Sequence, residues 1–433
     1  MDRAAVWRHL DMMNQFEAIR GRPGTLAVLD IGSAKIVAFI AELKADGALE
    51  VLGIGHQLSK GIRSGQIQDA GDAQSSIVAA VHAAEQMAGE TIESVFVSVN
   101  GSHLRSKNIV VELDVTNDGV SDADILDLIH EGSASAQEEG REIIHMVPVQ
   151  YYLDKAKGLT DPRGMVGQVL GAELHIVTAD SLTLQNIAGT IARCHLNTSG
   201  YVMSSLATAR AVLTEDEMQL GATVVDMGAG TTSACVYGHG KPVFSVSIPV
   251  GGKHVTSDIA RGLSTSLAQA ERIKTLYANA VGSPKDAESM LDVPQLGDED
   301  DEEAAAQVSR AMLTAVVRPR MEEMFELVAQ KLDDAGLQRT QERHCVLSGG
   351  GSQMIGVYDL ASRMLSKQVR KGKPSAIEGL ADAANGPSFA TAVGMLKVLT
   401  QPSWEDQLLL RPRRSLGLGG LGKKLLGWVK ESV

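Results

Sequence analysis

Two short stretches end an apolar run on aspartate and follow it at once with glycine and small hydroxyl residues: VLDIGSAKIVAFI at 28–40 and VVDMGAGTTSACVY at 224–237. Each reads as strand, Asp, one apolar residue, Gly, small polar residues and a second strand, a hairpin used once in each half of the chain. One Asp-x-Gly hairpin alone is an ordinary tight turn. Two of them suit a polyphosphate with a divalent cation. Bare backbone at Gly32, Gly228 and Gly230 can approach phosphate and offer N–H donors with no side chain in the way. Ser33, Thr231 and Thr232 add hydroxyl donors, and Lys35 adds a positive charge within reach of a phosphate tail. Phosphate would repel Asp30 and Asp226, so these carboxylates should hold the metal through its waters. Mg2+ dehydrates reluctantly and suits that role.

A third stretch, VLSGGGSQMIG at 346–356, runs an apolar strand into Gly349, Gly350 and Gly351, with a helix expected to follow. Such bare backbone can lie flat against an adenine or ribose, and a helix N-terminus favours anions; alone, the triplet also fits a tight turn. Upstream, AQAERIKTLY at 268–277 sets Glu271 and Lys274 three apart on one helix face, able to bracket ribose and base. Hairpin, hairpin and triplet in that order are far more specific than any one of them.

The elements that must position these residues follow an α/β pattern. Strands are expected at 25–30, 35–43, 49–58 and 94–101, with a helix over about 71–89 carrying Ile77, Val78, Val81 and Ala84 at helical spacing. A mixed segment follows over about 99–177, and helical patterns dominate from the second hairpin's strands to about 340. Strands alternating with helices, with glycine turns at strand ends, indicate an α/β architecture. At 433 residues the chain exceeds a single core. Its net charge of -13 and 3% aromatic content argue against nucleic acid as a partner. Three widely spaced cysteines, Cys194, Cys235 and Cys345, fit a reducing cytoplasm. No signal peptide is read, and no run reaches the roughly 18 apolar residues of a membrane span.

The order of motifs resembles the actin, Hsp70 and sugar-kinase superfamily. Within it, VLDIGSAKI, SVNGSH, HMVPVQYYLD, VLTEDEMQLGATVVDMGAGTT, SIPVGGKHVTSDIA and AERIK resemble the FtsA family of bacterial actin-like cell-division proteins. The resemblance covers about 25–400 and the last dozen residues. It implies a two-lobed actin-like ATPase fold of duplicated RNase H-like domains, with inserted subdomains, and ATP with Mg2+ in the cleft. It divides the chain into a variable tail (1–24), a first lobe (25–98 and 178–213) carrying an insert at 99–177, and a second lobe (214–252 and 346–400, the latter returning to the first lobe) carrying an insert at 253–345. A linker (401–414) and an amphipathic helix (415–433) follow. Ala229 and Ser233 depart from the superfamily's usual glycine and aspartate. Ahead of the second hairpin, SSLATARAVL at 204–213 offers Ser204, Ser205 and Thr208 where hydrolysing members place a Glu or Gln to orient water, so slow or no hydrolysis is expected.

The terminus SLGLGGLGKKLLGWVKESV places Leu418, Leu421, Leu425, Leu426, Trp428 and Val429 on one side of a helical wheel, with Lys423, Lys424 and Lys430 opposite. This suits an in-plane membrane helix on an anionic surface. The alternative is a helix packed on the protein's own core, but Gly417, Gly419, Gly420, Gly422 and Gly427 would cost it roughly 5 kcal/mol against alanine. The acidic run at 298–303 reads as a solvated loop, or a tether. The resemblance implies the FtsZ C-terminal peptide as a partner of the second insert, with Arg310 meeting it. It also implies self-assembly into filaments, later divisome membrane proteins as further partners, and a place on the cytoplasmic face of the inner membrane. The competing reading is a soluble actin-fold phosphotransferase or chaperone-type ATPase.

Overall fold

The computed structural model describes residues 23–115, 119–297, 305–337 and 344–401. The tail up to residue 22, the acidic run at 298–303 and every terminal residue assigned to the membrane, Leu418 to Lys430, lie outside the described residues.

The first lobe is built on β1 (Gly24–Ile31), β2 (Lys35–Leu43) and β3 (Leu49–Leu58), followed by a short ribbon of β4 (Ile62–Arg63) and β5 (Gln66–Ile67), then β6 (Ser94–Val99). The helix Ala70–Ala88 starts on Asp69, whose carboxylate accepts from the N–H groups of Gly71 and Asp72, and stops at Gly89 in the left-handed region (φ 72°). β7 (Leu104–Asp114), β8 (Arg141–Leu153), β9 (Ala156–Leu159) and β10 (Val169–Asp180) form a separate four-stranded sheet in the order β7-β10-β8-β9. With the helix Asp122–Ala136 it encloses its own small core around Ile125, Leu128, Leu170 and Leu174. β11 (Asn197–Met203) returns to the first sheet.

The second lobe follows with β12 (Ala222–Met227), β13 (Thr232–Gly238) and β14 (Lys241–Ile248), then a small ribbon of β15 (Met290–Val293) and β16 (Ala306–Ser309), and finally β17 (His344–Ser348) and β18 (Gln368–Lys371). The two main sheets run β11-β6-β1-β2-β3 and β14-β13-β12-β17-β18. In each, an Asp-bearing strand is antiparallel to its hairpin partner and parallel to a later strand: β1 to β2 and β6, β12 to β13 and β17. The duplication expected from the two hairpins is therefore a duplication of whole sheets. Both Asp strands are central, which is why Leu26–Ile31 and Ala222–Val225 are buried without alternation.

Two elements differ from the sequence expectation. Within the helical stretch expected up to about 340, residues before Arg310 form a strand and the long helix runs Arg310–Asp334, because Val308 pairs with Leu291 in the ribbon and Ser309 caps the helix by accepting from the Met312 N–H. The helix expected directly after the glycine triplet begins only at Val357. A 3-10 turn, Gly350–Gln353, intervenes, so no α-helix N-terminus faces the triplet.

Candidate functional site

β1 and β12 deliver Asp30 and Asp226 to the same place, a cavity of about 640 Å3 between the lobes. The two turns are closed alike. The Gly32 N–H donates to the Lys35 carbonyl at 3.1 Å and the Gly228 N–H to the Thr231 carbonyl at 2.8 Å. These two N–H groups are used inside their own hairpins, so any backbone donors offered to a phosphate come from the residues beside them. Their part is to close turns that leave the neighbouring backbone bare. Gly230 has a tighter duty. A Cβ there would overlap Ser33 Oγ and sit 2.9 Å from the Ser64 nitrogen, so glycine lets the two lobes' loops touch.

The acids are held by hydroxyls. Asp30 is buried, and its Oδ1 accepts from Ser98 Oγ at 2.7 Å, while the Ile31 N–H donates to the same Ser98 oxygen at 2.9 Å. Asp226 Oδ2 accepts from Thr208 Oγ1 at 2.9 Å and Thr391 Oγ1 at 3.3 Å. Burial raises both carboxyls above the ordinary carboxylate range. Asp226 retains some surface toward the cavity, yet protein packs around its carboxyl closely enough to push it up to about 6, with the charge on Asp30 adding to burial. Two buried carboxylates, the charge of Asp30 raising the proton affinity of Asp226, are costly unless a cation lies between them. The donor set and the bare backbone beside it fit a hydrated Mg2+ and a polyphosphate.

The Thr208–Thr391 clamp depends on a close helix crossing. Ser204–Val212 and Ala390–Thr400 approach so nearly that a Cβ at Gly394 would overlap the Ala207 carbonyl oxygen. Gly394→Ala is therefore expected to spread the two helices, destabilise the protein by about 1–3 kcal/mol and loosen the hold on Asp226. A thermal melt without ligand measures the first effect; an unchanged melting midpoint would contradict the close crossing.

Lys35 is poised differently from the sequence expectation. Its Nζ lies 3.2 Å from the centroid of the Phe389 ring, and burial lowers its pKa to about 8, opposed by the charge on Asp30. It lines the cavity while resting on an aromatic face. Ser33 and Thr231 also line it, both largely buried. Thr232 does not. Its hydroxyl donates to the Val250 carbonyl at 2.8 Å and is fully buried, because β13 begins at Thr232 and strand alternation turns its side chain into the second lobe's core.

At the other end of the cavity, Gly349, Gly350 and Gly351 meet Glu271 and Lys274. Lys274 Nζ donates to Glu271 Oε2 at 2.7 Å and to the Gly252 carbonyl at 3.1 Å, and Thr256 Oγ1 donates to Glu271 at 2.5 Å. Although burial pushes the Glu271 carboxyl up, these hydrogen bonds hold it below the ordinary range. The pair expected to bracket a ligand thus also ties the helix Leu267–Tyr277 to Gly252–Gly262. Arg310 lies outside the cavity, at the start of its helix, with Nη2 donating to the Tyr277 carbonyl at 3.4 Å.

Sequence reasoning missed Ser98, Thr391, Phe389 and Lys253. Lys253 Nζ donates to the Ser33 carbonyl at 2.5 Å across the lobes. None carries a local signal, since each matters through a partner 60 or more positions away, as with Lys253 and Ser33 at a separation of 220.

A family model described as "Cell division protein FtsA" matches residues 223–394, and one described as "SHS2 domain inserted in FTSA" matches residues 101–178. The chain is 37% identical over 385 residues to the cell division protein FtsA of Agrobacterium fabrum, covering 87% of each chain. It is 30% identical over 410 residues to that of Escherichia coli, covering 93% of this chain and 97% of the relative. Among solved structures, the PilM–PilN type IV pilus biogenesis complex superposes with a TM-score of 0.61 at 15% identity over 87% of this chain and 99% of that one. MreB5 of Spiroplasma citri bound to ADP superposes with a TM-score of 0.51 at 12% identity over 86% and 95%. These similarities show the actin-like fold.

Proposed function

This chain belongs to the FtsA family of cell division proteins, and from that premise we propose that it holds Mg2+–ATP between its lobes, assembles into filaments and ties the FtsZ ring to the cytoplasmic face of the inner membrane. The observation that carries the nucleotide reading is the convergence of both Asp–Gly hairpins and the glycine triplet on one interlobe cavity. Asp30 and Asp226 would hold the hydrated Mg2+. The loops at Ser33 and Gly228–Thr231 would face the phosphates, and the triplet with Glu271 and Lys274 would face the nucleoside. The bound metal neutralises phosphate charge. This chain's residues set the position and protonation of the carboxylates that meet it.

Turnover is expected to be slow. Ser204 Oγ donates to the Val99 carbonyl at 3.2 Å, Thr208 is committed to Asp226, and Ser205 is buried away from the cavity lining, so the segment ahead of the second hairpin presents no free hydroxyl to the cleft. No carboxylate or carboxamide from it can orient a water. A nucleotide held and slowly turned over suits a scaffold.

Arg310 marks the face for the acidic FtsZ C-terminal peptide. Its guanidinium donates to the carbonyl of Tyr277, a residue that is itself 39% exposed, so a cation stands beside an accessible aromatic residue. The insert built on β7–β10 is the surface assigned to later divisome membrane proteins. Membrane attachment rests on the sequence of residues 415–433. No helix among the described residues is long and apolar enough to cross a bilayer. One amphipathic helix gives modest affinity, so filament formation would strengthen attachment through multivalency.

Co-sedimentation with anionic liposomes in Mg2+–ATP tests this reading. The full chain is expected in the pellet and a chain ending at Arg411 in the supernatant. A full chain that stays in solution and turns over ATP rapidly would instead favour a soluble phosphotransferase or chaperone-type ATPase. Full pelleting of the shortened chain would place the anchor elsewhere.

A further inference from the structure

Behind the phosphate-side loops lies a second cavity, of about 500 Å3 and open to solvent. Ser33 and Gly230 line both it and the interlobe cleft, so the two spaces share one thin wall. Arg63, Lys253 and His254 supply its charged and titratable lining, and among the described residues no Asp or Glu lines it.

Two elements built from opposite lobes bring these cations together. The β4–β5 ribbon turns through Ser64 and Gly65, both in the left-handed region (φ 47° and 81°). Glycine is required at 65, where a Cβ would overlap the Asn100 carbonyl oxygen. Ser64 is held there as a non-glycine residue, and its hydroxyl donates to the Gly230 carbonyl at 3.0 Å across the lobes. That contact fixes the neighbouring Arg63, which is exposed and whose guanidinium has no ion-pair partner among the described residues. The second element is the first turn of the helix Gly252–Gly262, whose Gly252 and Lys253 N–H groups donate to the Gly228 and Ala229 carbonyls at 3.0 and 2.8 Å, which holds the turn against the second hairpin and presents the Lys253 side chain to the basin. The Gly251 N–H donates to His254 Nδ1 at 3.1 Å, so a neutral ring carries its proton on Nε2. Burial lowers the proton affinity of Lys253; Glu271 opposes this, and Lys274 and Arg63 add to it by like-charge repulsion. Cations held near one another around a cavity without a carboxylate in its lining are stabilised by a shared anion.

We propose that this basin is an anion site that takes a tetrahedral oxyanion of the size of inorganic phosphate, held between the side chains of Arg63 and Lys253, with His254 Nε2 beside them. The anion is either free phosphate or the terminal phosphate of a nucleotide in the adjoining cleft. Only the second source rests on the nucleotide reading given above.

Calorimetric titration of inorganic phosphate into the full-length protein tests the proposal in three states: nucleotide-free, saturated with Mg2+–ADP, and saturated with a non-hydrolysable Mg2+–ATP analogue. Phosphate is expected to bind the first two. Loss of binding only with the ATP analogue assigns the basin to the terminal phosphate, and retained binding assigns it to free phosphate. Arg63→Gln is expected to weaken phosphate roughly tenfold and Arg63→Glu to abolish it, with ADP affinity unchanged because Arg63 does not line the cleft. Absence of phosphate binding to the ADP-loaded protein, or equal phosphate affinity in wild type and Arg63→Gln, would overturn the proposal. If ADP itself does not bind, the nucleotide reading fails, and the nucleotide-free titration with the two Arg63 variants still decides whether the basin takes anions.

Discussion

Asp226→Asn is expected to make the nucleotide-free protein more stable while weakening Mg2+–ATP by roughly 10–100-fold. Burial comes first in raising the Asp226 carboxyl from 3.8 to about 6; the hydrogen bond from Thr208 opposes it, the charge on Asp30 adds to it, and the bond from Thr391 opposes it again. The unfolded chain titrates near 3.8, so the folded state binds this proton more tightly. The resulting destabilisation is absent below about pH 4, grows as pH rises through the window from 3.8 to about 6, and is complete above it. Its ceiling at neutral pH is about 3 kcal/mol. Asparagine keeps an oxygen for Thr208 and Thr391 to donate to and carries no charge. Its melting midpoint should exceed that of wild type by a few degrees at pH 7.5 and match it near pH 4. Ligand binding runs the other way, because the metal requires the ionised carboxylate. Wild-type affinity for Mg2+–ATP should therefore fall as pH drops below about 6. A variant that melts at or below the wild-type midpoint at pH 7.5, or that binds Mg2+–ATP as tightly, would contradict the picture of two carboxylates held together for a cation.

Gly349→Ala should be more damaging than its single methyl suggests. Gly349 has φ +80°, and a Cβ there would overlap Asp226 Oδ1 and lie 2.6 Å from the Met227 carbonyl oxygen. The left-handed backbone alone costs alanine about 1–2 kcal/mol, and overpacking against β12 adds about 1–3 kcal/mol. The effect should appear both as a lowered melting midpoint and as weakened nucleotide binding, since the methyl presses on the carboxylate assigned to the metal. Gly350→Ala is the control, because its Cβ would meet only Ser388 Cβ, at 3.9 Å, and its backbone is not left-handed. Equal behaviour of the two variants would remove the special role given to Gly349.

Much of the lobe architecture was legible because its signals are local. An apolar run ending in Asp-x-Gly identifies a central strand and its hairpin, and the strands expected over 35–43 and 49–58 coincide with β2 and β3. The helix near 71–89 showed its apolar stripe and its terminal glycine. Thr232 was misread because two adjacent threonines look equivalent in sequence, whereas a strand turns one to the cavity and the other to the core. The ribbon of β15 and β16 was missed because each strand has only four residues and they pair across the acidic run.

The chemical types that converge on the cleft were present in the chain itself: two acids at strand ends, bare glycine turns and small hydroxyls, spaced as a repeat. Tertiary structure alone decided which of them share a cavity, which hydroxyls clamp the acids and how far the Asp226 carboxyl is pushed from its ordinary range. It also decided that Lys253 reaches Ser33 from 220 positions away and that Arg63 stands beside both. The physical reason is distance. Turn formation and strand burial depend on a few neighbouring residues, while proton affinity, hydrogen-bond partnership and cavity shape depend on atoms brought together only when both lobes have closed on one another.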